Sequence, residues 1–136
     1  ILNAIQAFII IIASISILVG SIGIINTMTT SVLERKREIG IMKAIGAKNE
    51  QIFYQFLIES GLMGLIGSFI GVLFGILIGY IGTISINNFI GAETKPVFDF
   101  MFFLFVLIGG FIIGSLSGIL PALDAARQNP VEVLRK

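Results

Sequence analysis

The side chains that most often do chemistry are missing from this sequence. It has no histidine and no cysteine, so it lacks the commonest general base and metal ligand, and any thiolate nucleophile or disulfide framework. One acid stands where an acid is costly. Glu59 is the single charge in an apolar run from Phe53 to Ile84. An ionisable group inside a membrane segment is by default a functional site, here an ion-coupling carboxylate. Yet Glu59 lies only about two turns from the start of its run, at 1.5 Å per residue. It can reach an interface and pair with a basic residue of the preceding segment, and the sequence favours that structural role. No second carboxylate accompanies it in an apolar run, which excludes paired-acid catalysis there.

The other charges gather in one stretch, Ser31-Val-Leu-Glu-Arg-Lys-Arg-Glu-Ile-Gly-Ile-Met-Lys-Ala-Ile-Gly-Ala-Lys48. Ile39, Met42 and Ile45 recur at spacing three, and Ile41 and Ile45 at spacing four, the signature of an apolar helical stripe. Glu34, Arg35, Lys36, Arg37 and Glu38 precede it and Lys43 flanks it. Gly46 fits the position just past a helix end, where a positive φ costs least, and Asn49 fits the N-cap of the next helix. These residues predict a short amphipathic helix that either docks on a partner protein or lies as a solvated element against anionic headgroups. Gly40, Gly46 and Lys48 do not form a phosphate loop, because that pattern needs four residues between its glycines and then Lys-Ser or Lys-Thr.

The elements that must carry this stretch are set by composition. The chain is 56% hydrophobic and 12% charged, with a mean hydropathy of +1.04. Soluble domains carry about 25% charged residues, and a chain this short cannot hide so much apolar surface within itself. Lipid must be the solvent for much of its length. A hydrocarbon core about 30 Å thick needs about 20 helical residues, and three segments supply them: residues 4–28, 53–84 and 100–120. Basic residues favour the cytoplasmic side. The segment 29–50 carries Arg35, Lys36, Arg37, Lys43 and Lys48, and the tail 121–136 carries Arg127, Arg135 and Lys136, whereas the connection 85–99 has only Lys95. The expected topology has the N-terminus and the 85–99 loop outside, with the 29–50 segment and the tail in the cytoplasm. An outward N-terminus asks for something upstream to translocate it, so a piece of a longer protein is expected, lacking an upstream helix and an extracytoplasmic domain.

The second span is punctuated by Gly61, Gly64, Gly67, Gly71, Gly75, Gly79 and Gly82, at a regular spacing of four from Gly67 to Gly79, and the third carries Gly110, Gly114 and Gly118, joined by Ser115 and Ser117. Small residues let membrane helices approach closely, so these two stripes are expected to pack on each other. In the tail, Asn129, Pro130 and Glu132 make a helix start. The fold class is therefore an all-α membrane protein: three transmembrane helices, a cytoplasmic amphipathic helix between the first two, and a short cytoplasmic C-terminal helix.

The Ser31–Lys48 stretch closely resembles the segment after the second transmembrane helix of FtsX/MacB-like permeases of ABC transporters. Phe56-Leu-Ile-Glu-Ser60, the glycine-rich span and the tail Pro121-Ala-Leu-Asp-Ala-Ala-Arg-Gln-Asn-Pro-Val-Glu-Val-Leu-Arg135 are similar to the downstream parts of those permeases, in the same order. The resemblance implies helices two to four of a four-helix permease in the cell membrane, whose extracytoplasmic domain lies between its first two helices. It implies a homodimer or heterodimer with an ABC-type ATP-binding subunit, which would hold ATP and Mg; this chain would bind no cofactor. Glu34 to Ala47 would be the coupling element, with Glu34, Arg35, Arg37, Glu38, Gly40, Lys43 and Gly46 beside the apolar contacts Ile39, Met42 and Ile45. Its function would be mechanical, passing ATP-driven movement outward rather than catalysing a reaction. An extracytoplasmic partner is possible in principle and a nucleic-acid partner is not expected. The competing readings are an ion-coupled secondary transporter working through Glu59 and a structural membrane scaffold.

Overall fold

A backbone in lipid must satisfy its own polar groups, which leaves the helix as the available form for uncharged runs of this length. The computed structural model describes residues 1–91, 95 and 99–129. It contains α1 (Leu2–Glu34), α2 (Lys36–Ala44), α3 (Asn49–Ile90), α4 (Phe100–Ser117) and α5 (Ile119–Ala126). Of these, α1, α3 and α4 are long and apolar enough to cross a membrane. With 42 residues, α3 is about 63 Å long at 1.5 Å per residue, roughly twice the thickness of a hydrocarbon core. It therefore projects beyond the apolar layer at one end or both.

The boundaries come from local chemistry. Only Arg35 separates α1 from α2, so the first helix passes into the amphipathic one with a bend and no linker. At the far end of α2, Gly46 takes φ +107°. Its N–H donates to the Lys43 carbonyl at 3.1 Å while that of Ala47 donates to the Met42 carbonyl at 2.9 Å. This is the Schellman arrangement, in which a residue without Cβ turns the chain out of the helix. The next helix begins one residue earlier than the Asn49 cap expected from sequence: Lys48 is the cap. The Gln51 side chain reaches back to accept the Lys48 N–H at 3.0 Å, so the third helical residue satisfies the end and Asn49 already belongs to the helix. α3 runs on past Ile84 to Ile90 before Gly91 closes it at φ +67°. Asp99 opens α4 by accepting the Met101 N–H at 2.9 Å.

The third apolar segment, read from sequence as running to Leu120, is divided: α4 stops at Ser117 and α5 starts at Ile119. Pro121 accounts for the break. It has no N–H to give the Ser117 carbonyl four residues back, and its ring crowds that carbonyl. Pro121 thus falls in the first turn of α5, and the helix start expected at Asn129-Pro130-Glu132 extends beyond the described residues.

α3 and α4 pack through a seam of small residues: Ser60, Gly61, Gly64 and Ser68 on one side, Gly110, Gly114, Ser115 and Gly118 on the other. A Cβ on Gly114 would sit 2.6 Å from the Ser60 carbonyl oxygen, and one on Gly64 2.8 Å from the Gly114 Cα. The two backbones are in contact. The stripe assigned from sequence to this contact is only half there. Gly110, Gly114 and Gly118 lie in it, but a Cβ on Gly67, Gly71, Gly75 or Gly79 would meet nothing within 4 Å. Past Ser68 the seam gives way to a cleft of about 770 Å³ lined by Gly71, Gly75 and Gly79 from α3 and Phe102, Phe103 and Val106 from α4. The i, i+4 register is right; the bulkier α4 side chains at that end hold the glycines off.

The core lies at the opposite end from that cleft. Met28 and Val32 of α1, Ile39 of α2, Ile52 and Phe56 of α3, and Ala122 and Ala125 of α5 form one buried cluster. Every residue from Leu2 to Gly20 of α1 is exposed, so the first helix joins the others only through its second half.

Candidate functional site

α2 is held at the core end of the bundle with two distinct faces. Ile39 is fully buried and Gly40 is buried beside it, while Met42 and Ala47 pack against the same cluster. Burying an isoleucine contributes roughly 1.5–3 kcal/mol, enough to fix the rotation of a nine-residue helix. The opposite face carries Arg37, Glu38, Ile41, Ala44 and Ile45, all exposed, whereas Lys36, also exposed, lies on the α5 side beside Pro121, Asp124 and Gln128. Ile45 is 82% exposed and Ile41 46%, so the helix offers an apolar strip edged by both signs of charge.

The residues that sequence analysis grouped as one coupling element therefore separate. Arg37, Glu38 and Ile45 lie on the free surface, Gly46 turns the chain at its end, and Glu34 is exposed at the end of α1. Ile39, Gly40 and Met42 face the protein's own core. Lys43 is half-buried, and its Nζ donates to the carbonyl of Ala126 at 2.5 Å and to that of Gln128 at 2.7 Å. Those carbonyls stand at the C-terminal end of α5, where unpaired acceptors and the negative end of the helix dipole favour a cation. Sequence reading did not single out Ile41 as a site residue, although its spacing to Ile45 was visible. Nor did it find the α5 side of the contact, whose only signal was Ala122, Ala125 and Ala126 at helical spacing.

Glu59 does not stand alone. Its Oε1 lies 3.5 Å from an Arg35 guanidinium nitrogen, in a pair whose side chains are 29% and 47% exposed. The contact links the bend between α1 and α2 to the third turn of α3. At this distance and exposure the pair is worth at most about 1 kcal/mol; its effect is to place Glu59 at the edge of the bundle. Five hydroxyls of the first helix turn inward on their own backbone: Ser14 donates to the Ile10 carbonyl at 2.8 Å and Ser16 to that of Ile12 at 2.9 Å. Thr27, Thr29 and Thr30 do the same with Gly23, Ile25 and Asn26. Such bonds let polar residues sit in an apolar segment without a partner helix.

Among the described residues the arrangement brings together no nucleophile and base. What it can do is present a braced helical face at one end of three long apolar helices. Comparison with known proteins gives the family. Residues 10–130 match the family described as FtsX-like permease C-terminal. An uncharacterised ABC transporter permease of Methanocaldococcus jannaschii is 39% identical over 143 aligned residues, covering 99% of this chain and 34% of that protein. The macrolide export ATP-binding/permease protein MacB of Pasteurella multocida is 43% identical over 123 residues, 90% of this chain and 18% of its own length. MacB of Haemophilus ducreyi is 45% identical over 127 residues, 92% of this chain and 17% of its own. The chain thus spans about a third of the archaeal relative and under a fifth of the other two. It belongs to the FtsX-like permease family, corresponding to the C-terminal permease portion of an ABC transporter.

Proposed function

We propose that this permease portion receives ATP-driven movement through the exposed face of α2 and passes it along the membrane helices. The observation that carries the reading is the two-faced seating of α2. Its inner face is locked into the core by Ile39, and its outer face presents Arg37, Glu38, Ile41 and Ile45. A helix fixed in this way moves its neighbours when it is pushed, because packed interiors transmit displacement rather than absorb it. The push would come from an ATP-binding subunit or domain, which would hold ATP and Mg. The MacB relatives, named ATP-binding/permease proteins, support that partner. No cofactor is assigned to this chain.

The orientation that fits has α2 and α5 in the cytoplasm and the N-terminus of α1 outside, since Arg35, Lys36, Arg37, Lys48 and Arg127 cluster at the core end and basic residues favour the cytoplasmic face. α1 then leads directly from the docking face across the bilayer with no hinge segment other than Arg35. The activity is mechanical: the chain supplies no catalytic step, and it works in a dimer of permeases.

The test is the double substitution Ile41→Asp/Ile45→Asp in the full-length permease, purified with its ATP-binding partner in lipid. The few dominant contacts at the centre of an interface each cost about 2 kcal/mol or more when removed, so if Ile41 and Ile45 are the centre of this face a loss of association of about tenfold or greater is expected, with insertion and folding intact. Unchanged association and unchanged ATPase stimulation would overturn the assignment of this face.

A further inference from the structure

Lys43 is the one cation of α2 whose charged end is directed into the protein. Its neighbours Lys36 and Arg37 are exposed. Lys43 instead crosses to α5 and donates to two main-chain oxygens, those of Ala126 and Gln128, 83 and 85 residues further along the chain. A lysine that spends two of its three donors on the end of a distant helix fixes distance and angle together, because each carbonyl constrains a different N–H direction. Both helices also contribute to one buried cluster: Ile39 of α2 and Ala122 and Ala125 of α5 are completely buried in it, together with residues of α1 and α3. α5 in turn joins α4 through the single residue Gly118, whose Cα closes on Ser60 of α3.

We infer that Lys43 is a positioning residue that ties α2 to α5, so that displacement of the docking helix reaches the third span, α4, as well as the first. The inference rests on the functional reading above and adds a second route to it. α1 is continuous with α2 and moves with it through the covalent chain. α4 has no such continuity with α2; it is connected to it in space through α5, by the Lys43 bonds and by the buried cluster to which α2 and α5 both contribute. Movement at one end of the bundle is thereby divided between two spans, α1 and α4.

The arrangement makes a definite demand: α2 and α5 keep one separation whatever the nucleotide state. The experiment places spin labels at Ala44 on α2 and Asp124 on α5, both exposed. The labels go on the full-length permease with its ATP-binding partner in lipid nanodiscs, with other reactive cysteines replaced, and the label separation is read by electron paramagnetic resonance. A narrow distribution, the same without nucleotide and with a non-hydrolysable ATP analogue, is expected for the wild type. Lys43→Met, which keeps the length of the side chain and removes its donors, should broaden the distribution, and Lys43→Arg, which keeps donors, should restore most of it. A wild-type separation that changes with nucleotide overturns the inference, because the two helices would then move independently. A K43M distribution superimposable on the wild type overturns it equally. If no ATP-binding subunit associates, it is the functional reading that fails, and the nucleotide-free comparison of wild type, K43M and K43R still decides the tie.

Discussion

Lys43 and Ile45 stand two residues apart at the end of α2 and face opposite ways, one bonded to the end of α5 and the other 82% exposed. The contrast governs what substitution should do at each position. Ile39→Asp puts a carboxylate into a closed apolar cluster, where an unpaired charge or polar group costs several kcal/mol. A loss of roughly 3 kcal/mol or more is expected from that burial, read as a lower unfolding midpoint in detergent. Ile45→Asp touches only the free face and should change stability by about 0.5 kcal/mol or less, while weakening association with the ATP-binding partner. If the two variants proved equally stable, the rotation of α2 would have to be different. Glu59→Gln removes a 3.5 Å pair that is partly exposed; a stability change below about 1 kcal/mol is expected, with nucleotide-driven activity of the full protein retained. Complete loss of that activity would favour an ion-coupling role instead.

Among the elements, α3 and α4 define one sharp contrast. Gly64 sits against the Gly110 and Gly114 backbone, whereas Gly75 faces an open cleft. Gly64→Val must push the two helices apart and should cost at least the roughly 1–3 kcal/mol typical of overpacking. Gly75→Ala meets nothing and exchanges glycine for the best helix former, a gain of up to about 1 kcal/mol. Thermal unfolding of the two variants in the same lipid would check this, and equal destabilisation would count against the seam. The helices themselves were legible from sequence because uncharged length and periodicity dictate them. So was the Gly46 turn, since positive φ selects glycine. The location of the seam was not. A glycine run at spacing four shows that a helix can approach another closely, but the contact actually uses Ser60 and Ser68 around Gly64, and serine gives no such conspicuous signal. The division at Ser117 was present in the sequence as Pro121, four residues beyond the carbonyl it deprives. The inward turn of Lys43 was not readable at all, because its acceptors are main-chain oxygens, which every residue carries.

For the whole molecule, the distribution of charge makes the orientation testable. Single cysteines at Arg37 or Ile45 should react with a membrane-impermeant maleimide only from the cytoplasmic side, and one at Leu2 only from the outside. The reverse pattern would invert the topology and remove the docking face from any cytoplasmic partner. Three apolar helices joined mainly at one end also explain why so little of the first half of α1 is covered: all residues from Leu2 to Gly20 are exposed within the chain.

The closed seam at one end and the open cleft at the other have a geometric result. Contact between α3 and α4 is tight from Ser60 to Ser68 and absent at Gly71, Gly75 and Gly79, while α3 runs on from Ser68 to Ile90, about 33 Å at 1.5 Å per residue. The seam would be the fulcrum of a relative tilt of the two helices, with the remainder of α3 as its long arm. A relative tilt of roughly 5° about the seam carries the tip of that arm about 3 Å, on the 1.5 Å rise per residue. Close to the pivot the same tilt shifts atoms far less, in proportion to their distance from it. By this geometry small angles at the core end would become ångström-scale displacements at the other.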